Sequence, residues 1–227
     1  MSIFNTATAT CPECGEPVEI SWAASVNADR RPDLRSAILD RSFQAEFCPT
    51  CGQPMRLPPH LTYVDLARRN WILVEDVAEL PQWAVHEAEA GKLFEESFGP
   101  AAPPVAQELA SGVRPRLVFG WPALREKLIC TELGLDDVQL ELLKLAVMRG
   151  VAGTPVGDGL ALRLVAGNDD TLTLDVVNDA TETAVSTTEL PRSLYDDIGT
   201  DTAAWAPLRA RLVNEIFVDV QRFMIGA

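Results

Sequence analysis

The sequence predicts an α+β protein. A small module elaborated with strands and helices around a cysteine-rich centre is followed by a helical segment, an antiparallel β-meander and a C-terminal helix. Three observations carry this reading. Two Cys-Pro-x-Cys-Gly turns occupy residues 11–15 and 48–52. Apolar residues recur at helical spacing from about residue 120 to 150 and alternate at period 2 from 160 to 186. Proline and alanine crowd residues 100–115, which reads as a linker between a first part, 1–99, and a second part, 116–227.

Each element has a local reason. Past the first cysteine pair, Val18, Ile20 and Trp22 alternate with Glu19 and Ser21, the pattern of a half-buried strand. Residues 30–43 read as a short helix: Pro32 suits its first turn, and Leu34, Ala37 and Ile38 share one face. Residues 44–47 lead as a strand into the second cysteine pair. Residues 61–76 form a hairpin that turns at 67–70, and Pro81 opens a helix that runs to about Phe98 before Gly99-Pro100 ends it. Two more helices flank Gly134, and Asp136 followed by Gln139 matches a capping box. Leu160, Leu162 and Leu164 pair with Leu172, Leu174 and Val176 across the turn at 168–170, and residues 183–186 add a third strand. From Trp205 onward, Leu208, Leu212, Ile216, Val220 and Phe223 lie on one helical stripe that docks on the core.

Composition limits what such a chain can do. Its 227 residues hold 19 Lys+Arg against 33 Asp+Glu, a net charge of −14. At 47% hydrophobic and 23% charged residues it is an ordinary globular mixture, which excludes wholesale disorder. The acidic balance, shared evenly by both halves, argues against general nucleic-acid binding and against docking on anionic membranes. No stretch approaches the roughly 18 apolar residues of a membrane-spanning helix. The first ten residues show no basic, then apolar, leader pattern, so the expected compartment is the cytoplasm, where thiols stay reduced.

Four of the five cysteines fall in the two turns. Two residues between cysteines let both sulfurs face one point, proline fixes φ, and the following glycine can take the positive φ that closes the turn. Two such knuckles supply four thiolates, Cys11, Cys14, Cys48 and Cys51, to a closed structural Zn²⁺ site. The first module is therefore zinc-ribbon-like, although 33 residues separate Cys14 from Cys48, more than the roughly 15–20 usual in such pairs. The alternatives are an iron centre and a redox pair, and a redox pair would place its first cysteine at a helix N-terminus, whereas here glycine and a strand follow. Removing the metal is expected to unfold at least residues 9–57.

The repeated turns, their long interval and the residues beyond resemble the bacterial CpXC-domain family. The resemblance rests on Cys11-Pro12-Glu13-Cys14, Pro32-Asp33-Leu34, Cys48-Pro49-Thr50-Cys51 and Leu61-Thr62-Tyr63-Val64-Asp65. A weaker echo through residues 124–127 and 134–137 extends it over about 9–150. It implies zinc binding by the four cysteines and no further role.

Other candidates have plainer readings. Cys130 lies on an apolar helical face and reads as a core thiol, and Trp71 and Trp83 as buried aromatics. His60 and His86 lack ligand spacing to the knuckles. The Asp-Asp pairs at 136–137, 169–170 and 196–197 read as a helix cap, a hairpin turn and a helix end. Gly150, Gly153, Gly157 and Gly159 lack the context of a phosphate loop. With no nucleophile motif beside the two histidines, no catalytic residue is assigned and no small-molecule substrate is identified. The expected function is a non-enzymatic interaction or adaptor protein that docks a protein partner or a second copy of itself. The alternative is a nucleic-acid-associated or regulatory zinc ribbon, antitoxin-like, in which Arg30, Arg31, Arg35, Arg41, Arg68 and Arg69 would cluster. An enzyme with carboxylates in residues 101–227 is a third class.

Overall fold

Period-2 alternation sorts three neighbouring strands onto two faces, and that split organises the protein. The structure, a computed structural model, describes residues 1–150, 157 and 159–225. Its strands are β1 (Ile3–Thr10), β2 (Pro17–Asn27), β3 (Ala45–Phe47), β4 (Pro54–Arg56), β5 (Leu61–Asp65), β6 (Asn70–Glu75), β7 (Arg114–Phe119), β8 (Leu160–Gly167), β9 (Thr171–Asn178) and β10 (Thr183–Pro191). Its α-helices are α1 (Pro32–Leu39), α2 (Trp83–Phe98), α3 (Pro104–Leu109), α4 (Gly120–Glu132), α5 (Asp137–Gly150), α6 (Arg192–Thr200) and α7 (Thr202–Ala210).

The main sheet runs β1-β2-β5-β6-β7. Ile72 and Val74 of β6 face one way, joining Tyr63, Val26, Leu34 and Ile38 of α1, and Trp121, Leu124 and Leu128 of α4. Trp71 and Leu73 face the other way, against Leu117 and Phe119 of β7, Trp83 and Ala90 of α2, and Phe217. Each fully buried leucine or isoleucine in these layers contributes about 1.5–3 kcal/mol. The sheet is mixed because β2 pairs with β5, and β6 with β7, in parallel. Parallel neighbours need a crossover. The first crossover carries α1 and the second cysteine turn, and the second carries α2 and α3.

A second, antiparallel sheet runs β10-β9-β8. Its Leu162, Leu164, Leu172 and Leu174 pack on Val138 and Leu142 of α5 and on Tyr195 and Ile198 of α6. Helix α4 joins the two regions. Every residue from Gly120 to Leu128 is buried, and Cys130 at its far end belongs to the second core.

Three departures from the sequence reading have physical causes. The Pro/Ala-rich stretch 100–115 holds α3 and the first residues of β7, which is hydrogen-bonded into the main sheet. Its prolines sit where proline is tolerated: Pro103 and Pro104 at the N-cap and first turn of α3, and Pro115 on the sheet's end strand. The continuous C-terminal helix is a correction. Helix α7 stops at Ala210, and the backbone beyond it is claimed by other groups. The Glu87 carboxylate accepts the Ile216 and Phe217 N–H groups, at 3.0 and 2.7 Å. The Leu117 N–H and the Lys127 ammonium donate to the Ile216 and Val218 carbonyls, at 3.0 and 2.8 Å. A single 3₁₀ turn, Val220–Phe223, follows, with the Asp219 side chain accepting the Gln221 N–H. Finally, α2 begins at Trp83 after a 3₁₀ turn, Val77–Gln82, in which the Asp76 side chain accepts the Ala78 N–H and Pro81 is internal. Strand β1 has no counterpart in the sequence reading, and the Asp196–Asp197 pair, expected at a helix end, lies inside α6, which runs on to Thr200. The glycine stretch 150–159 falls largely outside the described residues.

Candidate metal centre

Each cysteine pair closes a β-hairpin. Thr10 pairs with Pro17 across the first turn, and Phe47 with Pro54 across the second. The turns are built alike. The Cys11 N–H donates to the Glu16 carbonyl and the Cys48 N–H to the Gln53 carbonyl, each at 2.9 Å. The Gly15 and Gly52 N–H groups donate back to the Cys11 and Cys48 carbonyls, at 3.0 and 2.8 Å. Both glycines have φ of +73°, a left-handed conformation that a Cβ disfavours.

This construction brings all four sulfurs within 4.8 Å of one another. The closest contacts cross between turns: Cys11 to Cys51 and Cys14 to Cys48, both 3.6 Å. A disulfide needs about 2.0 Å. A tetrahedron with metal–sulfur bonds of about 2.3 Å has sulfur–sulfur edges of about 3.8 Å. The donor set therefore fits a tetrahedral thiolate-bound metal ion. Cys11 and Cys48 are buried, while Cys14 and Cys51 are exposed.

The turn backbone prepares the charge. Hydrogen bonding from the Cys51 backbone, outweighing desolvation and aided by Thr50, draws the Cys48 thiol down to about 7. At Cys14 the backbone hydrogen bond at Glu16 acts in the same sense, yet desolvation and three crowding thiols outweigh it and push the group up to about 12. Four thiols this close do not all ionise without a cation between them.

Apolar support is thin: Val18, Ile20 and Met55 are the buried residues beside Cys11 and Cys48. A polar latch supplements it. Arg56 of β4 donates to both oxygens of Glu182, at 2.9 and 3.0 Å, and its guanidinium lies 4.7 Å over the Trp121 ring. Glu182 also accepts from Arg125 of α4 at 2.6 Å, and the Trp121 indole N–H donates to the Leu57 carbonyl at 3.0 Å. The second hairpin is thus fastened to α4 and to the β9–β10 turn.

The remaining candidates do not join this centre. Cys130 is buried, donates to the Leu135 carbonyl at 3.4 Å, and is driven far above its ordinary pKa by desolvation. His60 meets Glu75 at 2.6 Å. Trp71 and Trp83 are core residues. Of the six arginines considered for a nucleic-acid surface, Arg31 is bound to Asp33, and Arg35 is buried against Asp65 and Glu132.

One polar feature escaped the sequence reading. Lys144, fully buried on α5, donates to Glu126 of α4 and Glu141, at 2.9 and 2.8 Å. Arg163 of β8, equally buried, binds Glu126, Asp179 and Asp219, at 3.2, 2.6 and 2.5 Å. The available signal was charge inside otherwise apolar segments, as in residues 124–129 and 160–165, where a solvated face was the simpler reading.

Fold and cluster together define an α+β protein with a four-cysteine site able to hold a metal ion. The chain belongs to the CpXC protein family, whose model matches residues 9–144 and so includes all four cysteines. Neither the curated proteins nor the solved structures contain a match. Among the described residues, no helix is long and apolar enough to cross a membrane.

Proposed function

We propose that Cys11, Cys14, Cys48 and Cys51 hold one Zn²⁺ as a closed structural site, and that the chain is a non-enzymatic interaction protein of a reducing, cytoplasmic compartment. The observation that carries the metal is the pair of matched hairpin turns whose sulfurs already approach tetrahedral spacing. Four protein ligands leave no open position for substrate, so the ion's contribution is to folding, about 10–16 kcal/mol of apparent binding energy in zinc-finger peptides. For the interaction role, support comes from the sheet ends. β1 and β10 are end strands with mainly exposed side chains, and Ile3, Phe4 and Val185 on them are exposed apolar residues. Such edges can accept a further strand from a protein partner or a second copy.

Native mass spectrometry of the untagged chain, purified without chelator, tests both parts. About one zinc per chain is expected, and the same spectrum reports self-association. A folded, metal-free chain would overturn the zinc reading. A strictly monomeric chain with no reproducible partner from its native host would overturn the interaction reading.

A further inference from the structure

A cavity of about 570 Å³ lies away from the four-cysteine cluster, where the β5–β6 turn, the start of β7 and the α4–α5 junction meet. Its volume falls in the range of small-molecule sites, roughly 300–1,000 Å³. Its wall carries Arg68, Arg69, Arg114, Arg116 and Lys127. Five cations against the two carboxylates of Asp136 and Asp137 still leave the wall positive, the reverse of the overall sign of a chain of net charge −14.

Part of this charge is already spent. Asp137 accepts from Arg116 at 2.6 and 3.0 Å and from Lys127 at 2.9 Å, and Arg68 reaches Asp65 at 3.2 Å. Arg69 and Arg114 have no ion-pair or side-chain hydrogen-bond partner among the described residues. They are placed side by side by the fold, because Asn70 pairs in register with Arg114 across β6 and β7. Arg69 adopts a left-handed φ of +59°. Its guanidinium then passes 3.6 Å from where a Cβ of Gly112 would stand, a position with φ of +76° that glycine occupies at no steric cost. A second, independent observation lies on the same wall. The Asn70 Nδ2 is buried without an acceptor among the described residues, and its Oδ1 lies 3.2 Å from a Thr131 hydroxyl whose single proton is shared with the nearer Lys127 carbonyl at 2.9 Å.

We propose that this cavity binds a small phosphorylated ligand, its phosphoryl oxygens taken by Arg69 and Arg114. Guanidinium forks match phosphate oxygens bidentately, and two unspent forks backed by the Arg116–Lys127–Asp137 cluster favour a group carrying more than one negative charge. The acidic remainder of the surface repels polyanions, so an extended nucleic-acid footprint does not fit and a compact anion does.

The test is calorimetric titration of the full, zinc-loaded chain with inorganic phosphate, pyrophosphate and ADP at low and at moderate salt. Pyrophosphate should bind at one site per chain, more weakly as salt rises. The double variant R69A/R114A should retain its zinc and circular dichroism and bind at least about tenfold more weakly, because both guanidinium forks that take the phosphoryl oxygens are gone. R30A, an exposed arginine off the wall, should bind as the parent does. ADP binding much tighter than pyrophosphate identifies a nucleotide as the source of the phosphoryl group, and equal binding identifies the phosphoryl group itself as sufficient. Absence of binding by all three probes at millimolar concentration overturns the proposal. So does unchanged binding in a folded R69A/R114A variant, or tight capture of a single-stranded oligonucleotide with no response to pyrophosphate.

Discussion

Among the described residues, only Val18, Ile20 and Met55 are buried in the cluster around Cys11 and Cys48, whereas the contact between α4, α5 and the three-stranded sheet encloses charged side chains in a continuous apolar core. The two regions hold the chain by opposite means. On the proposed zinc reading the first, with few buried apolar residues, depends on ligation. The second has apolar surface in excess, and its Lys144 and Arg163 sit in desolvated ion pairs whose attraction roughly balances their desolvation. Such pairs add little net stability while intact, yet removal of one partner is costly. A single structure therefore predicts two different failure patterns, one set by the metal and one by charge balance.

The largest effect should come from removing the metal. Chelation, or Cys11→Ser, should abolish amide protection in the two cysteine hairpins, while β6, β7, α4 and α5 stay protected in hydrogen exchange. The expectation of unfolding across residues 9–57 narrows here, since Ala23 and Val26 of β2 and Leu34 and Ile38 of α1 belong to the main core. Loss of protection throughout α4 and α5 would break the comparison, and would show that the Arg56–Glu182–Arg125 latch couples the regions into one cooperative unit.

Next in size is Lys144→Met with zinc saturating. It leaves the Glu126 and Glu141 carboxylates buried without the cation between them and should cost about 3–5 kcal/mol in chemical denaturation. Metal stoichiometry should not change. A cost below about 1 kcal/mol would mean that water reaches this interior and that the contrast with the cysteine module is overstated.

The pH dependence sharpens the contrast further. Desolvation raises the Glu141 pKa to about 7, aided by the nearby charges of Asp219 and Glu126 and opposed by those of Lys144 and Lys127. The folded chain thus keeps a proton that the unfolded chain, with an ordinary glutamate near 4.5, releases. This contribution is fully present below about 4.5 and is lost as pH rises through about 7, at up to about 1.4 kcal/mol per pH unit. Asp137 and Asp219, held low beside their cations despite desolvation, act in the opposite direction: their contribution is present above about 3.8 and disappears on stronger acidification. The cysteine site should weaken on any acidification, because protons compete with the metal for the thiolates. Between pH 7 and 5 the two regions should therefore diverge, which site-resolved hydrogen exchange at both values would show. Glu141→Gln should remove the Glu141 slope even though its amide places a donor near the Val220 N–H. An unaltered slope would assign the titration to another group.

What could be read in advance followed how local each signal is. The cysteine turns were legible because their spacing, proline and glycine lie within five residues and carry their own geometry. Strands β8 and β9 were equally legible from leucine alternation, whereas β10, expected over 183–186, has no such alternation and runs on to Pro191. The stripe from Trp205 to Phe223 misled because its apolar period is helical while its backbone donors and acceptors are taken by Glu87, Leu117 and Lys127, all distant in sequence. The prolines at 103, 104 and 115 punctuate elements instead of separating them. The arginine-lined cavity gathers residues 68–69, 114–116 and 127, and no window of sequence contains that juxtaposition.

The smallest effect tests where a local rule gave way to a tertiary contact. In a capping box the Gln139 side chain would reach back to the Asp136 N–H. Only half of that exchange occurs: the Asp136 carboxylate accepts the Gln139 N–H at 2.8 Å, but the Asp136 N–H donates to the Tyr195 hydroxyl at 2.7 Å. Gln139 instead donates to the Tyr195 carbonyl at 2.7 Å. The start of α5 is thus capped by α6, a contact across 59 residues. Tyr195→Phe deletes the hydroxyl and keeps the packed ring, so it should cost about 0.5–1.5 kcal/mol. Gln139→Ala should cost a comparable amount through α6. In a double-mutant cycle the two costs should be additive if they are separate bonds, and should couple if Gln139 returns to the Asp136 N–H once the hydroxyl is gone. Coupling would show that the box is a latent local preference, overridden in the native fold by the docking of α6.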